Sequence, residues 1–133
     1  MASTDGSPAT LVEVMQQHPE LNTFGIGAFD ANRKTREQQG SEVAEGRSEL
    51  LQRETTIMQL VAWLKDNIAP IQTPTQNSYP IKGYIERARG EYISNGELIA
   101  AALIVGYSYK YVAPNVLFGM SQRDVDRVFQ MGQ

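Results

Sequence analysis

The segment "SNGELIAAALIVGY", Ser94 to Tyr107, constrains the fold more than any other. Ser94 and Glu97 make the S-x-x-E pattern of a capping box, in which the serine hydroxyl accepts from the Glu97 amide and the glutamate reaches back to the Ser94 amide. Gly106 offers a left-handed C-cap. Between these ends the helix is apolar nearly all round, and such a helix must be covered on both sides. If Leu98, Ala102 and Val105 face inward, the outer stripe is Glu97, Ala101 and Ile104. The segment is predicted to be central in its own core or to meet a partner through that stripe, which makes Glu97, Ala101 and Ile104 candidate partner-surface residues.

The neighbouring signals build a module over residues 78–133. Ser78 is placed as a cap with Pro80 in the first helical turn, and Ile81, Tyr84, Ile85 and Ala88 follow the spacing of a buried stripe before Gly90 ends the helix. "EYI" can form one short extended pair. "YSYKYV" and "VLFGM" flank "APN", and the alternation of Tyr107, Tyr109 and Tyr111 with that of Val116, Phe118 and Met120 predicts a β-hairpin. Ser121 and Asp124 repeat the capping signature, and Val125, Val128 and Phe129 give a last helix its inward stripe. The expected class is α+β: a helical N-terminal arm and linker over residues 1–77, then a helix-strand-helix-hairpin-helix module.

In the arm, Ser7 and Pro8 signal a helix start, Leu11, Val12, Met15 and His18 share one side, and Pro19 ends the segment. "LNTFGIGAFD" reads as a short strand or as an apolar connector that docks on something. Val43, Leu50, Ile57 and Leu64 recur every seven residues, predicting one long helix from Ser41 to Asn67, with Gly40 and Gly46 as weak points. That seam packs on its own domain or pairs with another copy, so Ile57 and Leu64 join the candidate partner surface. "APIQTPTQNSYP", Ala69 to Pro80, has three prolines and reads as a linker or long loop.

The inventory for catalysis is thin. The chain has one histidine and no cysteine, so thiolate metal sites and Cys-His or Ser-His-Asp arrangements are poorly supported, and no cofactor is expected. His18 reads as a packing or surface residue. "GIGAFD" lacks the third glycine of a dinucleotide fingerprint, and "GEYISNG" lacks the Gly-Lys-Ser/Thr end of a P-loop. The carboxylates show no spacing that singles out an acid and a base. All six tyrosines fall between Tyr79 and Tyr111, where they could pack a sheet, stack bases or anchor an interface.

Charge separates the binding classes. The net charge is −3; residues 1–77 hold six Lys and Arg against ten Asp and Glu, and residues 78–133 hold six against five. Neither part has the basic excess that drives phosphate binding. The helix-turn-helix and hairpin order matches that of a winged helix, whose second helix enters the major groove, but Glu97, Ala101 and Ile104 offer no donors to bases or phosphates. Nucleic-acid binding is the second reading, with Arg33, Lys34, Arg36 of "NRKTR" and Lys110 as candidate contacts. No apolar run approaches a membrane span, and the N-terminus has no signal-peptide pattern, so a cytoplasmic chain is expected.

"SYPIKGYIERARGEYISNGELIAAALIVGYSYKY" followed by "PNVLFGMS" resembles small uncharacterised proteins of bacteriophages and other mobile elements. The shared features are a Ser-Tyr-x-Ile/Leu-Lys start, a Tyr-Ile/Val-Ser-Asn-Gly core, an Ala-rich helix and a Pro-Asn strand, over about Ser78 to Ser121. The resemblance implies a phage or prophage product, working in a host cytoplasm, and carries no activity or site residues with it. The first reading is a non-catalytic interaction protein that acts by contact with a protein partner or by self-association.

Overall fold

The computed structural model describes residues 10–133. Its centre is the helix α5 (Asn95–Val105), in which every residue from Asn95 to Ile104 is buried. Both halves of the capping box form: Glu97 N donates to Ser94 Oγ at 3.1 Å, and Ser94 N donates to Glu97 Oε1 at 2.7 Å. Gly106 closes the helix at φ 99°, a left-handed conformation open to glycine without a Cβ penalty. Around α5 pack α1 (Leu11–Gln17), α3 (Glu54–Asn67) and α4 (Ser78–Arg89), together with strands described below. Each fully buried Leu or Ile in such a core contributes roughly 1.5–3 kcal/mol relative to exposure.

Covering α5 on all sides takes residues from the whole described chain. One hydrophobic cluster runs from Leu11 and Val14 through Leu50, Ile57, Leu60 and Leu64 to Val125 and Val128. The expected boundary at residues 77 and 78 therefore does not divide the core: the N-terminal segment supplies one wall of it. The Pro-rich stretch is a strap along the sheet and not a free linker. Ile71 N donates to Gly119 O, Thr75 N donates to Phe118 O, and β3 (Gln76–Asn77) pairs with β5 (Asn115–Phe118). Composition hides this, because main-chain bonds do not depend on side-chain type.

The long helix of the arm is two helices. α2 (Arg36–Gln52) is capped by Thr35, and the chain turns at Arg53 (φ −104°, ψ 18°) before α3. The break lets α3 lie on α5 and carries Arg53 to Glu97. Leu50, Ile57 and Leu64 are each fully buried in this chain's own core, so the sevenfold spacing is a packing seam of the monomer. The expected cap at Ser7 with Pro8 lies outside the described residues; within them, Thr10 caps α1 by accepting from Glu13 N at 3.1 Å.

"LNTFGI" satisfies both of its readings at once. β1 (Leu21–Asn22) and β2 (Gly25–Ile26) form a tight antiparallel hairpin, and the hairpin is docked. Thr23 N donates to Gly46 O of α2, and Gly96 N of α5 donates to Thr23 O. The second sheet has the order β3-β5-β4, with β4 (Tyr109–Val112) on its outer edge. Tyr109 and Tyr111 stand opposite Phe118 and Val116, as their alternation predicts. The extended pair expected at "EYI" is absent, and the short strand lies at Gln76–Asn77 instead. α6 (Gln122–Met131), capped by Ser121, closes the fold against α4.

Candidate interaction groove

The β1–β2 tip, the start of α4, the turn into α5 and the β4–β5 turn meet around a groove of about 540 Å³. Tyr79 and Lys82 come from α4, Tyr92 and Ser94 from the approach to α5, Asn95 from the first residue of α5, Pro114 from the β4–β5 turn, Asn115 from the start of β5, and Thr23 and Phe24 from the β1–β2 tip. A second depression of about 490 Å³ adjoins it, sharing Thr23, Phe24, Tyr92 and Ser94 and continuing to Glu49, Gln52, Arg53 and Glu97. Together they form one trough across the N-terminal end of α5.

Local sequence explains each position. The Asn77 side chain caps α4 by accepting from Tyr79 N at 2.9 Å, and the expected cap, Ser78, is instead the first helical residue, its Oγ accepting from Val116 N. Lys82 follows Tyr79 at i+3, so both lie on one face of α4. Its ammonium sits 5.8 Å from the Tyr79 ring centroid and 5.3 Å from that of Tyr92, within cation–π reach of both. Glu86, one turn on, accepts from Lys82 at 2.7 Å and from Ile93 N at 3.3 Å, tying the α4–α5 connection to α4. Tyr79 and Tyr92 are 63% and 65% exposed, so two aromatic rings with a cation between them face outward.

The floor is polar and ordered. Asn95 Nδ2 donates to Phe24 O at 3.2 Å and to Asn115 Oδ1 at 3.0 Å, joining the β1–β2 tip to the β4–β5 turn, while its own Oδ1 is buried without a protein partner. Ile26 N donates to Pro114 O at 2.9 Å and strengthens the same junction. At the far end Arg53 Nε donates to Glu97 Oε2 at 2.7 Å, and this bond raises the pKa of the guanidinium above its ordinary value. Glu97 is therefore bound twice, by the cap and by Arg53.

The candidate residues from sequence fall elsewhere, or inward. Ala101 and Ile104 are buried beneath other elements of this chain, Ile57 and Leu64 are fully buried on α3, and Glu97 is 3% exposed at the trough floor. Ala101, Ile104, Ile57 and Leu64 are turned into this chain's own core, and of the five only Glu97 reaches the trough, where Arg53 and Ser94 N hold it. Buried from Asn95 to Ile104, α5 offers no face to a DNA groove, although the winged-helix order of elements is present. Arg33 and Lys34 are paired with Asp30 and Glu42, and the exposed Arg36 stands beside Glu37, so "NRKTR" is a mixed-charge surface. Lys110 lies apart in sequence on β4 and is exposed.

Most groove residues lie in short sequence motifs and not in the apolar stripes of the helices. Tyr79, Lys82, Tyr92, Ser94, Asn95, Pro114 and Asn115 all lie in the segments "SYPIK", "YISNG" and "PN". Thr23 and Phe24 lie in "LNTFGIGAFD", whose reading as a strand or a docking connector does not say what surface they line. Comparison with protein-family models, with curated proteins and with solved structures finds no match to this chain. Among the described residues no helix is long and apolar enough to cross a membrane.

Proposed function

We propose that this chain is a non-catalytic interaction module that holds a segment of a partner protein in the trough across the N-terminal end of α5. The observation that supports it is convergence. "SYPIK", "YISNG" and "PN", the segments that carry the resemblance to phage and mobile-element proteins, are separate in the chain and supply seven of the nine residues of one groove. Exposed tyrosines beside a cation are the side chains that anchor protein interfaces, since they bury large areas while ordering few torsions. The carboxylates at and beside the site are engaged, Glu49 by the Thr23 hydroxyl, Glu86 by Lys82 and Ile93 N, and Glu97 by Arg53 and Ser94 N, which favours binding over acid–base work. On this reading the module is a phage-encoded adaptor acting in the host cytoplasm.

The test replaces both rings. Tyr79→Ala with Tyr92→Ala removes exposed side chains, so stability should stay within about 0.5 kcal/mol of wild type. With the intact chain as bait in its source cells, a specific protein should be recovered with wild type and lost with the double variant. Retention of every partner by the folded double variant would reject the groove. Tight, steeply salt-dependent binding of duplex DNA, abolished by the same pair, would replace the reading with a nucleic-acid one.

A further inference from the structure

The strand β4 ends the sheet, and Tyr109, Lys110, Tyr111 and Val112 are all exposed. Its partner strand fixes the direction of its main-chain groups. Val116 N donates to Ser78 Oγ at 3.2 Å, and Phe118 O accepts from Thr75 N at 3.1 Å, so both β5 residues direct their peptide groups away from β4. Opposed residues in an antiparallel pair alternate between bonded and non-bonded. Tyr111 and Tyr109, opposite Val116 and Phe118, are therefore the non-bonded positions. Their N–H and C=O groups point out of the sheet, where no further strand lies among the described residues. Their rings are held from beneath by the buried His18, whose ring centroid is 5.3 Å from that of Tyr109 and 5.8 Å from that of Tyr111.

We propose that this edge takes an extended, acidic segment of a partner protein as a fourth strand. The outward main-chain groups of Tyr109 and Tyr111 supply the hydrogen bonds, the mode by which sheets capture peptides. Lys110 supplies the selection: it is the only charge on β4, and no carboxylate lies within ion-pair distance of it among the described residues. A glutamate or aspartate opposite it gains a cross-strand pair. A second copy fits poorly. Two-fold pairing that sets Tyr109 against Tyr111 brings two Lys110 ammonium groups face to face, and four-residue strands cover far less than the roughly 1,200 Å² of a stable dimer. The edge lines neither half of the trough, so this inference stands apart from the proposed groove.

The experiment pans a displayed library of random eight-residue peptides against the intact chain and maps the enriched peptides by amide hydrogen exchange. Acidic peptides should emerge that slow exchange at the Tyr109 and Tyr111 amides at least tenfold. Tyr111→Pro should abolish them, because proline removes an outward N–H while an edge position tolerates it; Tyr111→Val, which keeps the amide, should bind. Lys110→Glu should reverse the preference to basic peptides. Enriched peptides that leave both amides unprotected, or that show no acidic bias, would overturn the proposal. So would protection of those amides that grows with protein concentration alone, which would identify a second copy as the occupant.

Discussion

Gly96 of α5 lies against the main chain of Asn22: a Cβ on Gly96 would stand 1.8 Å from Asn22 O. The same asparagine presses its side chain on Gly46 of α2, where a Cβ would be 2.7 Å from Oδ1. Asn22 is thus wedged between two helices through two glycines. Its own polar atoms are satisfied locally, with Nδ2 donating to Glu20 O and Gly27 O and Oδ1 accepting from Phe24 N. This wedge sets the height of the β1–β2 tip, and with it the position of Thr23 and Phe24 in the trough.

Gly96→Ala should be strongly destabilising. The clash is with backbone, so the hairpin must move, and overpacking of this kind costs about 1–3 kcal/mol or more. Gly40→Ala is the control, since nothing lies within 4 Å of a Cβ there and alanine is better than glycine in a helix by up to about 1 kcal/mol. Chemical denaturation should show the midpoint falling for the first and holding or rising for the second. Equal midpoints would mean that the two glycines are interchangeable and that the wedge is not tight.

Ile57→Glu and Ile104→Glu should each unfold the chain, not free it from a partner. Ile57 is fully buried and Ile104 is 7% exposed, so either change places a carboxylate within the hydrophobic cluster of the core. Circular dichroism should show loss of the cooperative transition in both. A folded, cooperative Ile104→Glu protein would show that the cover over α5 opens readily and would return that face to the list of binding surfaces.

The parts of the fold readable from sequence are those whose cause is local. The Ser94–Glu97 box, Gly106, the Ser121 cap and the tyrosine alternation each follow from a few adjacent residues, and each is found where the pattern puts it. The break at Arg53 has a distant cause, the burial of α3 on α5 and the bond to Glu97, while Leu50, Ile57 and Leu64 keep a spacing that fits an unbroken helix. The apolar outer stripe of α5 identified a surface needing cover but not what covers it. Gly46 and Gly96 within helices were a usable signal of close approach, though not of the residue approaching. The trough was hidden because its most exposed rings are tyrosines, Tyr79 and Tyr92, which periodicity does not separate from sheet packing.

Glu97→Gln tests the link between the helix break and the trough. The amide can still accept from Ser94 N, but its NH2 cannot accept from Arg53, so the guanidinium loses its partner. A loss of about 1 kcal/mol is expected, below the roughly 1.5–3 kcal/mol of a buried charge-assisted bond because Arg53 is 47% exposed and screened by solvent. Arg53→Ala with Glu97→Gln should cost less than the sum of the two single changes, because they remove one shared interaction. Strict additivity in a double-mutant cycle would show that the two side chains act independently.

Stability should fall in two separable steps on the acid side. His18 is buried against Tyr109 and Tyr111, and burial holds its pKa below the ordinary 6.5, so the folded state keeps the ring neutral. Because the unfolded chain takes up that proton first, this contribution is complete above about pH 6.5 and is lost as the pH falls from there through the lowered folded value. Asp124 acts lower. Its carboxylate accepts from Ala69 N at 2.9 Å and from Arg127 at 2.9 Å, and these bonds, the backbone one foremost, hold its pKa below the ordinary 3.8. Its contribution is present above about pH 3.8 and disappears on further acidification. Melting temperatures recorded from pH 8 to pH 3 should therefore decline first below about 6.5, and His18→Gln should flatten that step alone, while Asp124→Asn should flatten only the step below about 3.8. If His18→Gln leaves the upper step unchanged, the ring does not titrate with folding and its contact with Tyr111 is indifferent to protonation.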